Sequence, residues 1–315
     1  MSSSWGFTIG ALVVLAAGAA LPHLVTNSYV FYAGFVTLQY VIVSSAWNIL
    51  GGYAGYVNFG AGAFVGLGIY SAVFLFKAIA APLWVQVLGA AAAGGLLGLG
   101  MGYLTLRIQG VFFSIATLAL TIVLNTIVVN WSFIGGARGA TVLAPPPVWF
   151  PTTVSYVFFA TLVLAVITVA VARAIEKSWI WRGLAALRAD EQAAECSGAP
   201  TLKLRVFAAT ISGALIATAG APYPYYASYV EPGSAFGLTI ALNALAMPLI
   251  GGTRSWVGPV IGALLLSTIE QTATVTIPTE VNLLIVGLVL IGFVIAAPDG
   301  LLGLFARRPI LGGRR

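Results

Sequence analysis

Residues 111–130 read VFFSIATLALTIVLNTIVVN, twenty residues without a charge. An α-helix needs about 20 apolar residues, at 1.5 Å each, to cross a bilayer. Nine more such runs lie along the chain, at roughly 5–21, 29–50, 57–76, 83–104, 153–172, 206–222, 236–251, 257–274 and 281–297. In hydrocarbon every backbone N–H and C=O must be paired within the chain, so runs of this kind cross as helices. A membrane β-barrel would instead alternate polar and apolar residues along short strands. The sequence therefore predicts an all-α, polytopic transmembrane bundle of eight to ten spans.

Charge agrees. Lys, Arg, Asp and Glu make up 7% of the 315 residues, against about 25% in soluble domains. The net charge of +6 reports topology rather than nucleic-acid binding. Cytoplasmic loops of membrane proteins carry the excess of Lys and Arg. Six of the fourteen basic residues fall between Arg173 and Arg205, and four more, Arg307, Arg308, Arg314 and Arg315, form the tail. Both segments are expected in the cytoplasm, and counting spans back from Arg173 puts the N-terminus there too. Arg107 and Arg254 then face inward, while Lys77 and Arg138 fall outside. The first run is read as a retained span, although the small-residue stretch AAGAALP after it would also suit a cleaved leader. The chain is read as one transmembrane domain over 1–315, interrupted by a cytoplasmic loop at about 173–205.

Two glycine-rich segments resist simple counting. GGYAGYVNFGAGAFVGLGIY, residues 51–70, holds seven glycines. It is either a tight cytoplasmic hairpin or a helix broken within the membrane. Asn58 is its one strongly polar side chain, flanked by Tyr56 and Phe59. GGTRSWVGPVIGA, residues 251–263, echoes it: the glycines at 51, 52 and 62 recur at 251, 252 and 262. Interrupted segments in corresponding positions point to a transport path, and chance spacing in a glycine-rich chain is the competing reading.

Catalytic chemistry is absent. There is no HExxH, no GxSxG and no paired carboxylate within a span, and Cys196 and His23 are the sole cysteine and histidine. No metal site or disulfide can be built from them. Glu270 and Glu280 are the only acids near a span interior, both placed toward an outer end. An ion-coupled carrier would need such a group at depth. The chain also lacks GxxxxGK[ST], so no P-loop of its own binds ATP. What remains is a bundle able to form a path, with no engine of its own.

The polar stretch ALRADEQAAECSGAP, residues 186–200, stands out against this background. Asp190, Glu191 and Gln192 suit a helix N-terminus. Ala193, Ala194, Glu195 and Cys196 extend it, and Gly198 and Pro200 end it. About two turns of short amphipathic helix are predicted, with an alanine face free to approach another surface. Arg188, Lys203 and Arg205 flank it. An ordinary surface connector and a docking element are both open on this physics alone.

The segment resembles the EAA-type loop of ABC-importer permeases, E-A-A-x-x-x-G, here Gln192-Ala193-Ala194-Glu195-Cys196-Ser197-Gly198 with Gln in the first position. The chain as a whole resembles the LivM-type permeases of branched-chain amino acid ABC importers. The likeness is carried by residues 51–70, LRIQGVFFSIATLAL (106–120), LRADEQAAECSGAPTLKLRVFAATISG (187–213), GGTRSWVGPVIGALLL (251–266) and APDGLLGLF (297–305). The resemblance implies a multi-pass subunit of a bacterial inner membrane, working with a second, LivH-like permease chain. It further implies two cytoplasmic ATPase subunits that carry the ATP, and a periplasmic solute-binding protein. This chain would bind no cofactor. Asp190, Glu191, Gln192, Ala193, Ala194, Glu195 and Gly198 would form the coupling helix that an ATPase grips. Gly51, Gly52, Gly55, Asn58, Phe59 and Gly60 would border the translocation path, with a packing role for Asn58 as the alternative. The solute would be a branched-chain amino acid, or urea, a short amide or a small carboxylate. A secondary carrier or channel is the reading from another class.

Overall fold

The structure is a computed structural model that describes residues 2–25, 27–104, 110–142, 150–276 and 300–306, with the glycines at 287 and 292. It is an α-helical bundle. The spanning helices are α1 (Ser2–Leu24), α2 (Ser28–Asn48), α3 (Ala61–Ile79), α4 (Leu83–Leu104), α5 (Val111–Val129) and α6 (Thr153–Lys177). Short α7 (Trp179–Ala189) and α8 (Glu191–Cys196) follow, then α9 (Thr201–Gly220), α10 (Tyr223–Ala227) and α11 (Pro232–Ala235). The pair α12 (Leu238–Gly251) and α13 (Val257–Thr276) comes next, and a short helix Gly300–Ala306 ends the described residues. Among the described residues eight helical stretches are long and apolar enough to cross a membrane, and Val257–Ala273 is a shorter apolar one. The tenth run expected from the sequence, 281–297, lies outside the described residues, as do Glu280, Arg107 and the basic tail.

Among the described residues four helix starts are capped by a neighbouring side chain, including those of α7 by Ser178 and of α8 by Asp190. Asn27 accepts the Tyr29 N–H at 3.0 Å before α2. Thr152 and Ser155 form a reciprocal capping box before α6.

The glycine segment resolves into three parts. α2 widens into a single π turn over Ile49–Tyr53, residues 54–60 form an irregular loop, and α3 starts at Ala61. The predicted span at 57–76 thus begins later and runs to Ile79. A π turn inserts one residue into the helical ladder, and such turns cluster at functional sites.

The core combines fully buried large side chains, Phe35, Phe64 and Phe113 among them, with close backbone approach. α3, α4 and α9 meet backbone to backbone: a Cβ at Gly68 would strike the Ala217 carbonyl, one at Gly98 the Ala209 carbonyl, and one at Gly220 the Val65 carbonyl. Without a hydrophobic drive between helices in lipid, small residues that permit such contact stabilise the pairing through dispersion. α1 is the opposite case, with Trp5, Ile9, Leu12 and Val13 all exposed.

Contacts sort the chain into two ends. At one end lie the start of α1, the π turn, α7, α8, the start of α9 and the turn 252–256, since Phe7 packs on Trp256 and Tyr53 bonds Glu176. At the other, the two-residue strands β1 (Ala140–Thr141) and β2 (Tyr229–Val230) pair antiparallel, Ala140 opposite Val230. Lys77 and Arg138, set apart by the charge count, both lie at this second end: Lys77 reaches the Phe133 carbonyl and Arg138 offers its carbonyl to the Tyr229 hydroxyl.

Candidate functional site

The short polar helix forms where the sequence places it. Asp190 is extended, at φ −162°, and ends α7 while its carboxylate accepts the Ala193 N–H at 3.0 Å to start α8. Gly198, at φ +82°, reverses the chain after the last turn, a conformation that costs glycine little. Ser197 bonds back to the Ala193 carbonyl, and the Thr201 hydroxyl donates to Glu195 at 2.7 Å, which closes the segment onto α9. Gln192, Ala193, Glu195, Cys196, Ser197 and Gly198 are exposed. The alanine face is corrected in one respect. Ala194 is only 5% exposed and packs into this chain, so Ala193 alone of the pair presents a small side chain outward.

Polar contacts fasten this segment and the end of α6 to the two glycine turns. The carboxylate of Glu191 pairs with the Arg205 guanidinium. Tyr56 joins them: its hydroxyl donates to Glu191 at 2.7 Å and accepts from Arg205, whose guanidinium also lies 4.6 Å from the Tyr56 ring centre. Burial holds the Tyr56 phenol above its ordinary range against the pull of Arg205, so the proton needed for this double role stays in place. Next, Arg188 donates to the Gly52 carbonyl and, at 3.5 Å, to the Thr253 hydroxyl. One side chain thus touches the turn after α2 and the turn after α12. Last, Glu176 accepts the Trp256 N–H at 2.6 Å and the Tyr53 hydroxyl at 3.3 Å.

Residues 51–60 are fixed at this same end of the bundle. Gly52 approaches Asn48 and the Thr253 carbonyl closely, and Gly51 abuts the Trp47 ring. Asn58 is 1% exposed. Its side-chain oxygen accepts the Gly60 N–H at 2.7 Å and its carbonyl accepts the Trp47 indole N–H at 2.7 Å. Both bonds shape the turn into α3, which is the packing role weighed for this residue. Phe59 donates its N–H to Thr117, and Ser114 donates to the Val57 carbonyl, which pins the loop to α5. Gly55 and Phe59 line a pocket of about 410 Å³ together with Tyr56, Ser114, Arg188 and Glu191.

Sequence reading missed Tyr56, Glu176, Arg205 and Trp256 as parts of one assembly. Arg205 reads as a loop flank but sits on α9, 2% exposed. A charged residue inside an otherwise apolar helix was the available signal. Glu270 also departs from expectation. The Asn243 amide donates to it at 2.9 Å and to Tyr40 at 3.0 Å, and Tyr40 stands near the middle of α2, so Glu270 lies deeper than a helix end. No cluster of three or more His, Cys, Asp or Glu suited to a metal occurs among the described residues.

Comparison with known proteins accords with this geometry. The High-affinity branched-chain amino acid transport system permease protein LivM of Escherichia coli K12 is 26% identical over 93% of this chain and 73% of its own length. LivM of Salmonella typhimurium is 24% identical over the same shares. The Autoinducer 2 import system permease protein LsrC of Yersinia enterocolitica is 26% identical over 64% of this chain and 57% of its own length. Residues 29–294 match the family described as the permease component of branched-chain amino acid transport systems. Eight apolar helices among the described residues, an exposed polar helix fastened beside the glycine turns, and this match over most of the sequence lead to one conclusion: the chain belongs to that permease family, as a multi-pass transport subunit of an ABC importer rather than an enzyme.

Proposed function

We propose that the chain forms half of the path for a branched-chain amino acid in a bacterial inner membrane, and that α7 and α8 transmit the motion of an ATPase to it. The observation that carries this reading is the fastening of α7 and α8 to the glycine turns: α8 through Glu191 to Tyr56 and Arg205, and α7 through Arg188 to Gly52 and Thr253. A push on α8 would pass through these bonds toward the ends of α2 and α12. The end of the bundle that carries Arg173–Arg205 is cytoplasmic, by the excess of basic residues there. A LivH-like chain completes the path, two ATPase subunits bind the ATP, and a periplasmic binding protein delivers the solute. The likeness to the branched-chain amino acid permease LivM supports this solute, while the autoinducer 2 permease LsrC is a relative named for a different molecule.

The test is ATP-driven uptake of radiolabelled leucine, isoleucine and valine into vesicles holding the assembled importer, wild type against Ala193→Trp. The variant keeps membrane insertion and loses both uptake and copurification with the ATPase. Normal uptake by the variant would remove the coupling role. Uptake of urea or a short carboxylate in place of the amino acids would change the solute and leave the coupling role standing.

A further inference from the structure

The pocket of about 410 Å³ beside α8 is walled by three separate pieces of the chain. Val57 and Phe59 come from the loop after the π turn, Val111 from the start of α5, and Leu187 and Arg188 from the end of α7. Its size falls within the range of small-molecule sites, about 300–1,000 Å³. Val57 and Val111 are exposed apolar side chains, so the pocket offers a ligand an apolar wall as well as a charge.

The two charges that line it differ in what they have left to offer. Glu191 is engaged within the chain, paired with Arg205 and accepting the Tyr56 hydroxyl. Arg188 is exposed, and both of its hydrogen bonds leave from Nη1 and end on neutral oxygens, the Gly52 carbonyl and the Thr253 hydroxyl. A guanidinium carries five N–H donors. Nε and Nη2 hold the rest, along the edge that takes a carboxylate through two parallel bonds. Among the described residues no acid pairs with Arg188, and the charged group that acts on it is Arg254, also positive.

We propose that this pocket binds a small carboxylate with a branched apolar tail, its carboxylate on Nε and Nη2 of Arg188 and its tail against Val57, Phe59, Val111 and Leu187. Leucine and the α-oxo acid of the same skeleton share this chemistry. The pocket lies at the end of the bundle that carries Arg173–Arg205, so its ligand is a solute already on the cytoplasmic side. One wall belongs to α7 and the others to α5 and the loop. A ligand fitted to one arrangement of these walls holds α7 against them and disfavours any other arrangement. Accumulated product thereby restrains further import. This restraint rests on the coupling role proposed for α7 and α8; the binding itself does not.

The test titrates the assembled importer, without its solute-binding protein, in detergent by calorimetry. Leucine and ketoisocaproate bind, and leucinamide, which lacks the carboxylate, does not. The tighter of the two acids identifies the source, the imported solute for leucine and its deaminated product for ketoisocaproate. Arg188→Gln lowers the affinity for both about tenfold, the loss of one charge-assisted hydrogen bond. Val111→Trp, at an exposed position of α5, fills the pocket and abolishes binding, and Val57→Trp does the same from the loop. In vesicles, ketoisocaproate enclosed with the ATP slows leucine uptake by wild type and leaves uptake by Val111→Trp unchanged. Failure of both acids to bind wild type, leucinamide binding as tight as leucine, or unchanged affinity in Arg188→Gln would overturn the carboxylate assignment. Unchanged binding in both Trp variants would overturn the pocket assignment. Uptake insensitive to enclosed ketoisocaproate, with binding intact, would overturn the restraint. Loss of the coupling role in Ala193→Trp would leave the binding result standing.

Discussion

At the scale of single residues, the decisive unit is the triad of Glu191, Arg205 and Tyr56. The Arg205 side chain is 3% exposed and that of Glu191 18%. The two ends of the pair are thus not equivalent. Removing the Glu191 charge takes a charged partner from a guanidinium with little water, whereas removing Arg205 leaves a carboxylate that can rehydrate. Breaking a buried pair costs about 3 kcal/mol or more when the orphan is fully buried. Glu191→Gln is expected to lower stability by about 3 kcal/mol, and Arg205→Met by less. Thermal unfolding in detergent reads the order, and a more damaging Arg205→Met would refute the asymmetry. Asp190 and Gly198 were legible in the sequence because capping is chemistry among neighbours. Tyr56 and Arg205 were not, because the bonds that join them to α8 and α9 close over 135 and 149 residues of chain.

At the scale of elements, helix positions were legible from hydropathy, and what failed was where they start and how they touch. Glycine at 60, 62, 66 and 68 hides the start of α3, since it serves equally as a breaker and as a close-packing residue. The structure separates the two uses, which makes paired substitutions informative. A Cβ at Gly98 would strike the Ala209 carbonyl, while one at Gly100 meets nothing within 4 Å. Gly98→Ala is expected to cost about 1–3 kcal/mol of stability. Gly100→Ala is expected to leave the melting temperature unchanged or raise it. Equal effects would mean that α4 and α9 are not in backbone contact. The α12–α13 pair carries a second prediction. Gln at position 270 still accepts the Asn243 amide, so Glu270→Gln is expected to retain most of the uptake with an unaltered pH profile. A large loss with a shifted profile would favour an ion-coupled carrier. Glu270→Ala strands the buried Asn243 donor and is expected to cost about 1–3 kcal/mol.

At the scale of the whole molecule, the arrangement supplies its own reporter. Cys196 is the sole cysteine and lies exposed on α8. A membrane-impermeant maleimide is expected to label it in inverted vesicles and not in intact cells, and to label it more slowly once the ATPase is bound. Labelling from the outside would place α8 in the periplasm and invert the topology. The two-ended sorting of the basic residues was legible from the sequence, because charge placement is a property of loops rather than of packing. The contact between the two glycine turns through Arg188 was not, since nothing local pairs residue 52 with residue 253.

The meshing of α3, α4 and α9 through Gly68, Gly98 and Gly220 has a mechanical sense. Helices that touch backbone to backbone cannot slide past one another without a carbonyl crossing a carbonyl. The three are expected to move as one block, any stroke then being a change of angle between blocks rather than a rearrangement within this one.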